Sequence, residues 1–204
     1  MISDLDIVTA DVRTRDRDRY LSVLYAPADL RPALFALHGI DLEMASIVVG
    51  TTEAMIGEIR LAWWREALEG LDRGAVPAQP LLALAAAEVV PRGVSGADLA
   101  GIEDRWLGMI GSEHVPATHV TGGELVFGLA ARLLETDPAV AERLGEAWVL
   151  GDRWSGRVPA VLRPLLGLVR LAARDAARAR GGLPVEVRGS LGRQWQLLRA
   201  VAFG

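Results

Sequence analysis

Tyr25-Ala-Pro-Ala-Asp-Leu-Arg-Pro-Ala-Leu-Phe-Ala-Leu-His-Gly-Ile-Asp-Leu-Glu-Met-Ala-Ser-Ile-Val-Val-Gly50, followed by Met55-Ile-Gly-Glu-Ile-Arg-Leu-Ala-Trp-Trp-Arg-Glu-Ala-Leu68, is the text that decides the fold. Wound at about 100° per residue, Arg31 to Val49 carries apolar side chains nearly all the way round, the pattern of a helix enclosed by other helices. The polar exceptions are then the informative residues. Asp41 falls between Leu34, Leu37 and Val48 on the helical wheel, and His38 precedes it at an i, i+3 spacing; Glu43 lies on another arc with Gly39 and Ser46. In the second run Glu58, Arg65, Glu69 and Asp72 share a solvated face. The opposite face is wide and apolar, made of Ile56, Ile59, Trp63, Trp64, Ala67, Leu68 and Leu71, with Arg60 in its middle. A buried guanidinium without a counter-charge is costly, so Arg60 is expected to pair with Asp41 or Glu43. A pair of this kind between two core helices reads as architecture before it reads as an active site. Trp63 and Trp64 point in two directions, so at most one of them faces inward.

A chain of 204 residues with 51% hydrophobic content reads as one domain, 1–204, with a sizeable core; 1–15 is expected to be more loosely attached and 153–204 forms a basic end. The absence of cysteine excludes disulfides, thiolate metal sites and cysteine nucleophiles. All 22 basic residues are arginine, which excludes a Schiff-base or phosphate-loop lysine. The three histidines, His38, His114 and His119, are too scattered for a zinc site, and Pro116 with the following glycines predicts a loop around the last two. The N-terminal residues, rich in aspartate and arginine, fit neither a signal peptide nor a transit peptide, and no apolar run is expected to reach the roughly 20 residues that span a bilayer. A cytoplasmic protein, peripheral to the inner membrane, is the expectation.

In order, the chain reads as helix after helix. One helix is predicted over 4–24, ended by Pro27. Asp29 is a candidate cap for the next, with Pro32 in its first turn, and Thr51 and Thr52 are candidate caps for the tryptophan helix, ending near Gly70 to Gly74. Leu81 to Val90 predicts a short helix stopped by Pro91. Ser95-x-x-Asp98 and Thr121-x-x-Glu124 have the form of capping boxes, and Asp137-Pro138 places an N-cap before a proline. No stretch alternates as a strand does, so the class is all-α, with about eight or nine helices of ordinary length.

Charge is unevenly spread. From Arg153 onward ten arginines face only Asp175 and Glu186, a balance of +8 that leaves −12 for residues 1–152 within a total of −4. Arg163, Arg170, Arg174 and Arg178 share one side of a helix whose other side is leucine-rich, a pattern suited to an anionic membrane surface, to the acidic part of the same protein or to solvent. Nucleic acid is not expected, since the net charge is negative and no recognition signature accompanies the stripe.

The segment Tyr25-Ala-Pro-Ala-Asp-Leu-Arg-Pro-Ala-Leu-Phe-Ala-Leu with Leu61-Ala-Trp-Trp-Arg-Glu-Ala-Leu resembles the squalene/phytoene synthase family, above all a divergent bacterial branch related to a mitochondrial complex I assembly factor. The resemblance runs over about residues 16–72 and continues weakly in Leu165-Leu-Gly-Leu-Val-Arg-Leu-Ala-Ala-Arg-Asp and Gln194-Trp-Gln-Leu-Leu-Arg-Ala. It implies an isoprenoid synthase-like helical bundle, here abbreviated. It also implies a head-to-head condensation of isoprenyl diphosphates held through Mg²⁺ by two aspartate-rich helices, because hard Mg²⁺ takes carboxylate oxygens. The family's first motif, Tyr-Ala-Phe-x-Arg-x-x-Asp-Asp-x-x-Asp, puts its tyrosine on His38, its arginine on Leu42, and its aspartates on Ala45, Ser46 and Val49. All the expected ligands are missing. Where the second motif should fall, Gly145 to Arg157, only Asp152 and Arg153 remain as a remnant.

The expectation is therefore a degenerate member without catalytic residues, metal or cofactor. It would be a scaffold or assembly factor for a respiratory complex or a membrane surface, with a prenyl lipid as a further ligand class. The alternative is a Mg²⁺-dependent prenyltransferase of isoprenoid or carotenoid biosynthesis, with Asp41, Glu43 and Asp152 in a rearranged site. Third is a structural or oligomerising helical module with no small ligand.

Overall fold

Some helix ends in this chain follow local side-chain chemistry, and others begin without any side-chain cap. The computed structural model describes residues 2–204. The helix predicted over 4–24 is two, α1 (Asp4–Arg15) and α2 (Arg17–Val23). They meet at Asp16, whose backbone is extended and whose carboxylate accepts hydrogen bonds from the N–H groups of Asp18 and Arg19. An aspartate that competes for nearby backbone donors favours a cap over a helix interior. The break leaves Asp18, Arg19 and Ser22 buried. Residues 4–15 are docked, with Val8 and Val12 in the core.

The apolar run forms α3 (Arg31–Gly50) and the tryptophan run α4 (Ala54–Leu71). Pro32 lies in the first turn as read, but Asp29 caps nothing: Leu30 is at the N-cap and the Arg31 guanidinium closes the entry by donating to the Ala26 carbonyl at 3.0 Å. Thr51 donates back to Ile47 of α3, so neither threonine caps α4. Then follow α5 (Pro80–Glu88), a 3-10 turn at Val90–Arg92 that absorbs Pro91, α6 (Gly96–Ala100) and α7 (Ile102–Leu107). Ser95 and Asp98 form the expected reciprocal cap. Asp72 accepts from the Gly96 and Ala97 N–H groups, tying the end of α4 to the start of α6.

The chain ends in α8 (Ala117–Leu133), α9 (Pro138–Leu150), capped by Asp137, α10 (Arg163–Arg180) and α11 (Leu191–Phe203). Thr121-x-x-Glu124 lies inside α8 and caps nothing; the Thr121 hydroxyl donates to Thr118. The glycines expected to loop here are helical because α8 needs them for close packing. A Cβ at Gly145 of α9 would land on the Gly123 carbonyl, and one at Gly122 on the Arg105 side chain. No strand is present among the described residues, so the all-α class stands.

α3 is the hub, packed against α1, α2, α4, α5, α7 and α8, while α8, α9, α10 and α11 form a second group joined in series. By length and composition α3 could cross a membrane, which corrects the expectation that no run is long enough; here most of it is buried by its neighbours. Burial of Leu37, Ile40, Met44 and Ile47 contributes roughly 1.5–3 kcal/mol per side chain. α4 is only half enclosed. Leu61, Trp64, Leu68 and Leu71 point inward, whereas Met55, Ile56, Ile59 and Trp63 are exposed. The two tryptophans meet edge to face, one inside and one outside.

Candidate functional site

The interior between α2, α3, α7, α8 and α9 is polar, and it is organised around Asp41. Asp41 is fully buried on α3. Its Oδ2 accepts from Arg19 Nη1 of α2 at 2.6 Å, its Oδ1 accepts from the Trp106 indole N–H of α7 at 2.8 Å, and Arg105 Nη1 stands 3.6 Å from the same Oδ1. Arg19 also faces Asp16 at 3.3 Å, so two guanidiniums meet two carboxylates and the net charge of the cluster is zero. Both guanidiniums lie against the Trp148 ring of α9, 4.9 and 4.7 Å from its centroid, where the ring quadrupole attracts them. His119 of α8 closes the cluster: Nδ1 is 3.1 Å from the Arg105 carbonyl and Nε2 is 3.4 Å from Arg105 Nη2. A ring that donates from Nδ1 and accepts at Nε2 is neutral. Burial and the charge of Arg105 both push the His119 pKa down, in keeping with that form.

Burial by itself would raise the Asp41 pKa. The charges of Arg105 and Arg19 and the hydrogen bonds from Arg19 and Trp106 outweigh it and bring the carboxyl down to about 2. His38, one turn earlier on α3, is desolvated and repelled by Arg19, and falls to about 4; its Nδ1 has no partner. A general base works best with a pKa near the working pH and a free lone pair. Asp41 has neither, and arginine does not exchange its proton in this range. The cluster is thus a fixed ionic core that holds five helices together.

A second buried cluster fixes the C-terminal helix. Arg193 of α11 is 1% exposed and bonds Asp18 of α2 at 2.8 and 2.9 Å and Asp175 of α10 at 2.5 and 3.0 Å. Arg188 adds contacts at 3.0 Å to Asp16 and 3.4 Å to Asp18, whose other oxygen accepts from the Gly189 N–H.

Of the residues singled out in the sequence, His38 and Asp41 are buried together, but Glu43 is half-buried and bonds Arg15 at 2.7 Å. Arg60 is exposed and makes no ion pair, so the proposed Arg60 pairing is wrong. The buried partners of the Asp41 carboxylate are instead Arg19 of α2 and Arg105 of α7. Asp152 and Arg153 lie exposed just past α9. The arginine stripe is not a free surface either. Arg163 donates to the Val201 and Ala202 carbonyls at the end of α11, and Arg174 and Arg178 share Glu186; of the four, only Arg170 has no partner among the described residues. Sequence reading missed Arg19, Arg105, Trp106, Trp148 and Arg193. The one signal for Arg19 and Arg105 is that a buried Asp41 needs a counter-charge, which does not say where along the chain the charge lies, and nothing in the sequence points to the two tryptophans or to Arg193.

These donors do not fit a Mg²⁺ cage. Mg²⁺ requires oxygens with free lone pairs in near-octahedral array. Both Asp41 oxygens are held by cations and an indole, Glu43 is held by Arg15, and Asp152 is in solvent beyond α9. The positions of the family's aspartates are Ala45, Ser46 and Val49, and Ser46 spends its hydroxyl on the Glu43 carbonyl of its own helix. Among the described residues no group of three or more histidine, aspartate or glutamate side chains is arranged to hold a metal ion.

Residues 12–93 match the family model described as squalene/phytoene synthase. Over 70 residues the chain is 33% identical to NADH dehydrogenase (ubiquinone) complex I, assembly factor 6, of Homo sapiens and of Bos taurus, covering 34% of this chain and 21% of each relative. The mouse protein of the same name is 31% identical over the same share. The chain thus spans about a fifth of the length of these curated relatives. No solved structure matches.

Proposed function

We propose, starting from a chain whose residues 12–93 match the squalene/phytoene synthase family model and which is similar in part to complex I assembly factor 6, that it is a non-catalytic scaffold acting in the assembly of a respiratory complex at the inner face of a membrane. The observation that carries this reading is the occupancy of the interior. Where a prenyl-condensing enzyme needs aspartate oxygens open to Mg²⁺ and diphosphate, this chain has an alanine, a serine and a valine, and the nearby Asp41 is consumed by Arg19, Arg105 and Trp106. In this reading no metal or cofactor is used. The partner class is suggested by what the similar proteins are, complex I assembly factors, and by the apolar face of α4, where Met55, Ile56, Ile59 and Trp63 are left exposed.

Titration calorimetry with farnesyl and geranylgeranyl diphosphate, each with Mg²⁺ and with a chelator, tests the reading. The expected result is no binding that requires Mg²⁺. Mg²⁺-dependent binding that disappears in a folded Asp41→Asn variant would overturn it in favour of a prenyltransferase with a rearranged site.

A further inference from the structure

The C-terminal arginines sort into two populations. Arg163, Arg174, Arg178, Arg188 and Arg193 are engaged with carbonyls or carboxylates of the same chain. Arg153, Arg157, Arg170, Arg180 and Arg199 have no hydrogen-bond or ion-pair partner among the described residues. Three of these five, Arg153, Arg170 and Arg199, line one depression of about 560 Å³, and Arg174 stands on its wall. The convergence is built by three elements. α10 contributes Arg170 and Arg174 one turn apart, over a floor of Ala173 and Ala177 that leaves room between the helices. α11 contributes Gln196 and Arg199, also one turn apart, and the segment after α9 contributes Arg153 and Trp154.

The parts are held in place. The Trp154 indole N–H donates to the Gly156 carbonyl at 2.7 Å, and Arg143 lies over its ring. Arg174 is fixed by two hydrogen bonds to Glu186, at 2.6 and 3.0 Å, and α11 is pinned to α10 and α2 through Arg193. No carboxylate lines the depression. Three like charges drawn together without a counter-ion form a local positive field. Guanidinium groups offer paired N–H donors that match phosphate oxygens two at a time. The volume falls in the range of small-molecule sites, about 300–1,000 Å³.

From this geometry we propose that the depression between α10, α11 and the segment after α9 binds a phosphate-bearing ligand without a metal ion, its oxyanions held by Arg153, Arg170 and Arg199, with Gln196 as a neutral donor and Trp154 as an apolar side wall. The ligand is a soluble di- or oligophosphate or the headgroup of an anionic lipid; the recognising chemistry is the same. This site is separate from the Asp41 cluster and does not depend on the assembly reading.

The test has two arms, both in chelator. Calorimetry with pyrophosphate and tripolyphosphate reads the soluble ligand, and flotation with vesicles of phosphatidylglycerol against phosphatidylcholine reads the lipid headgroup. The expected result is binding in at least one arm, weakened at least tenfold in Arg170→Gln/Arg199→Gln and, independently, in Arg153→Gln, and unchanged in Arg73→Gln, which alters an exposed arginine elsewhere. The altered arginines have no partners in the chain, so circular dichroism should show unchanged folding. Absence of binding in both arms, or binding equal in wild type and in both sets of arginine variants, would overturn the proposal. With prenyl diphosphates the two hypotheses separate: binding that persists in chelator and needs these arginines supports this site, and binding that needs Mg²⁺ and Asp41 counts against the non-catalytic reading.

Discussion

Arg60, expected to be the buried ion in need of a partner, is exposed, and the buried ion is Asp41. Its burial on an apolar helix demanded a cation, and the cation came from Arg19 and Arg105 rather than Arg60. Removing it leaves two buried guanidiniums short of a counter-charge, so Asp41→Ala is expected to lose roughly 3–5 kcal/mol of stability in urea denaturation. Arg60→Ala, at an exposed site without an ion pair, should stay within about 0.5 kcal/mol; a large loss there would restore the original pairing. Two pH effects follow from the same cluster. The folded Asp41 pKa, about 2, lies below its unfolded value of 3.8, so its contribution is present above 3.8 and is lost as the pH falls towards 2. His38 is held neutral, with its pKa lowered from 6.5 to about 4. The unfolded chain takes up that proton first, so stability should decline as the pH falls from 6.5 to 4. His38→Gln should flatten this part of a pH–stability curve, and an unchanged slope would show that His38 is not the group responsible.

Individual elements were legible where a local rule acted alone. Pro32, the Ser95–Asp98 box and Asp137-Pro138 mark helix starts because the chemistry of each lies within four residues. The single helix over 4–24 and the loop before Gly123 fail for different reasons: periodicity does not weigh a local cap such as Asp16, and glycine content does not record what a neighbouring helix requires. Asp16 breaks the first, and the α8 glycines serve contact with α9 and with Arg105. Gly145→Ala should therefore cost about 1–3 kcal/mol by forcing α9 away from the Gly123 carbonyl. Gly192→Ala, where nothing lies near the added methyl, should leave stability unchanged or raise it by less than about 1 kcal/mol. Equal effects at the two sites would mean that α8 and α9 can separate freely.

At the scale of the molecule, α11 is held by a buried arginine alongside its buried apolar residues Leu197 and Ala200. Arg193 bridges α2 and α10 through Asp18 and Asp175. Arg193→Met should cost roughly 3–5 kcal/mol by stranding Asp18. Hydrogen exchange should rise first in residues 191–203, ahead of α3; uniform loosening would argue against a local anchor. The same bridge explains why the +8 balance of the C-terminal segment was a poor guide to its surface. Half of its ten arginines are spent on internal acceptors, among them Asp16 and Asp18, and three of the other five, Arg153, Arg170 and Arg199, gather where α10 and α11 meet. Composition, helical period and residue identity, properties of the chain in one dimension, are enough for the all-α class, the central burial of Arg31 to Gly50 and the lack of aspartate at positions 45, 46 and 49. Which arginine meets which carboxylate, which face of α4 stays in solvent and which arginines are left free depend instead on how the helices pack. With 22 arginines and 26 acids the energy of a buried pair depends on distances of a few ångströms between helices far apart in sequence.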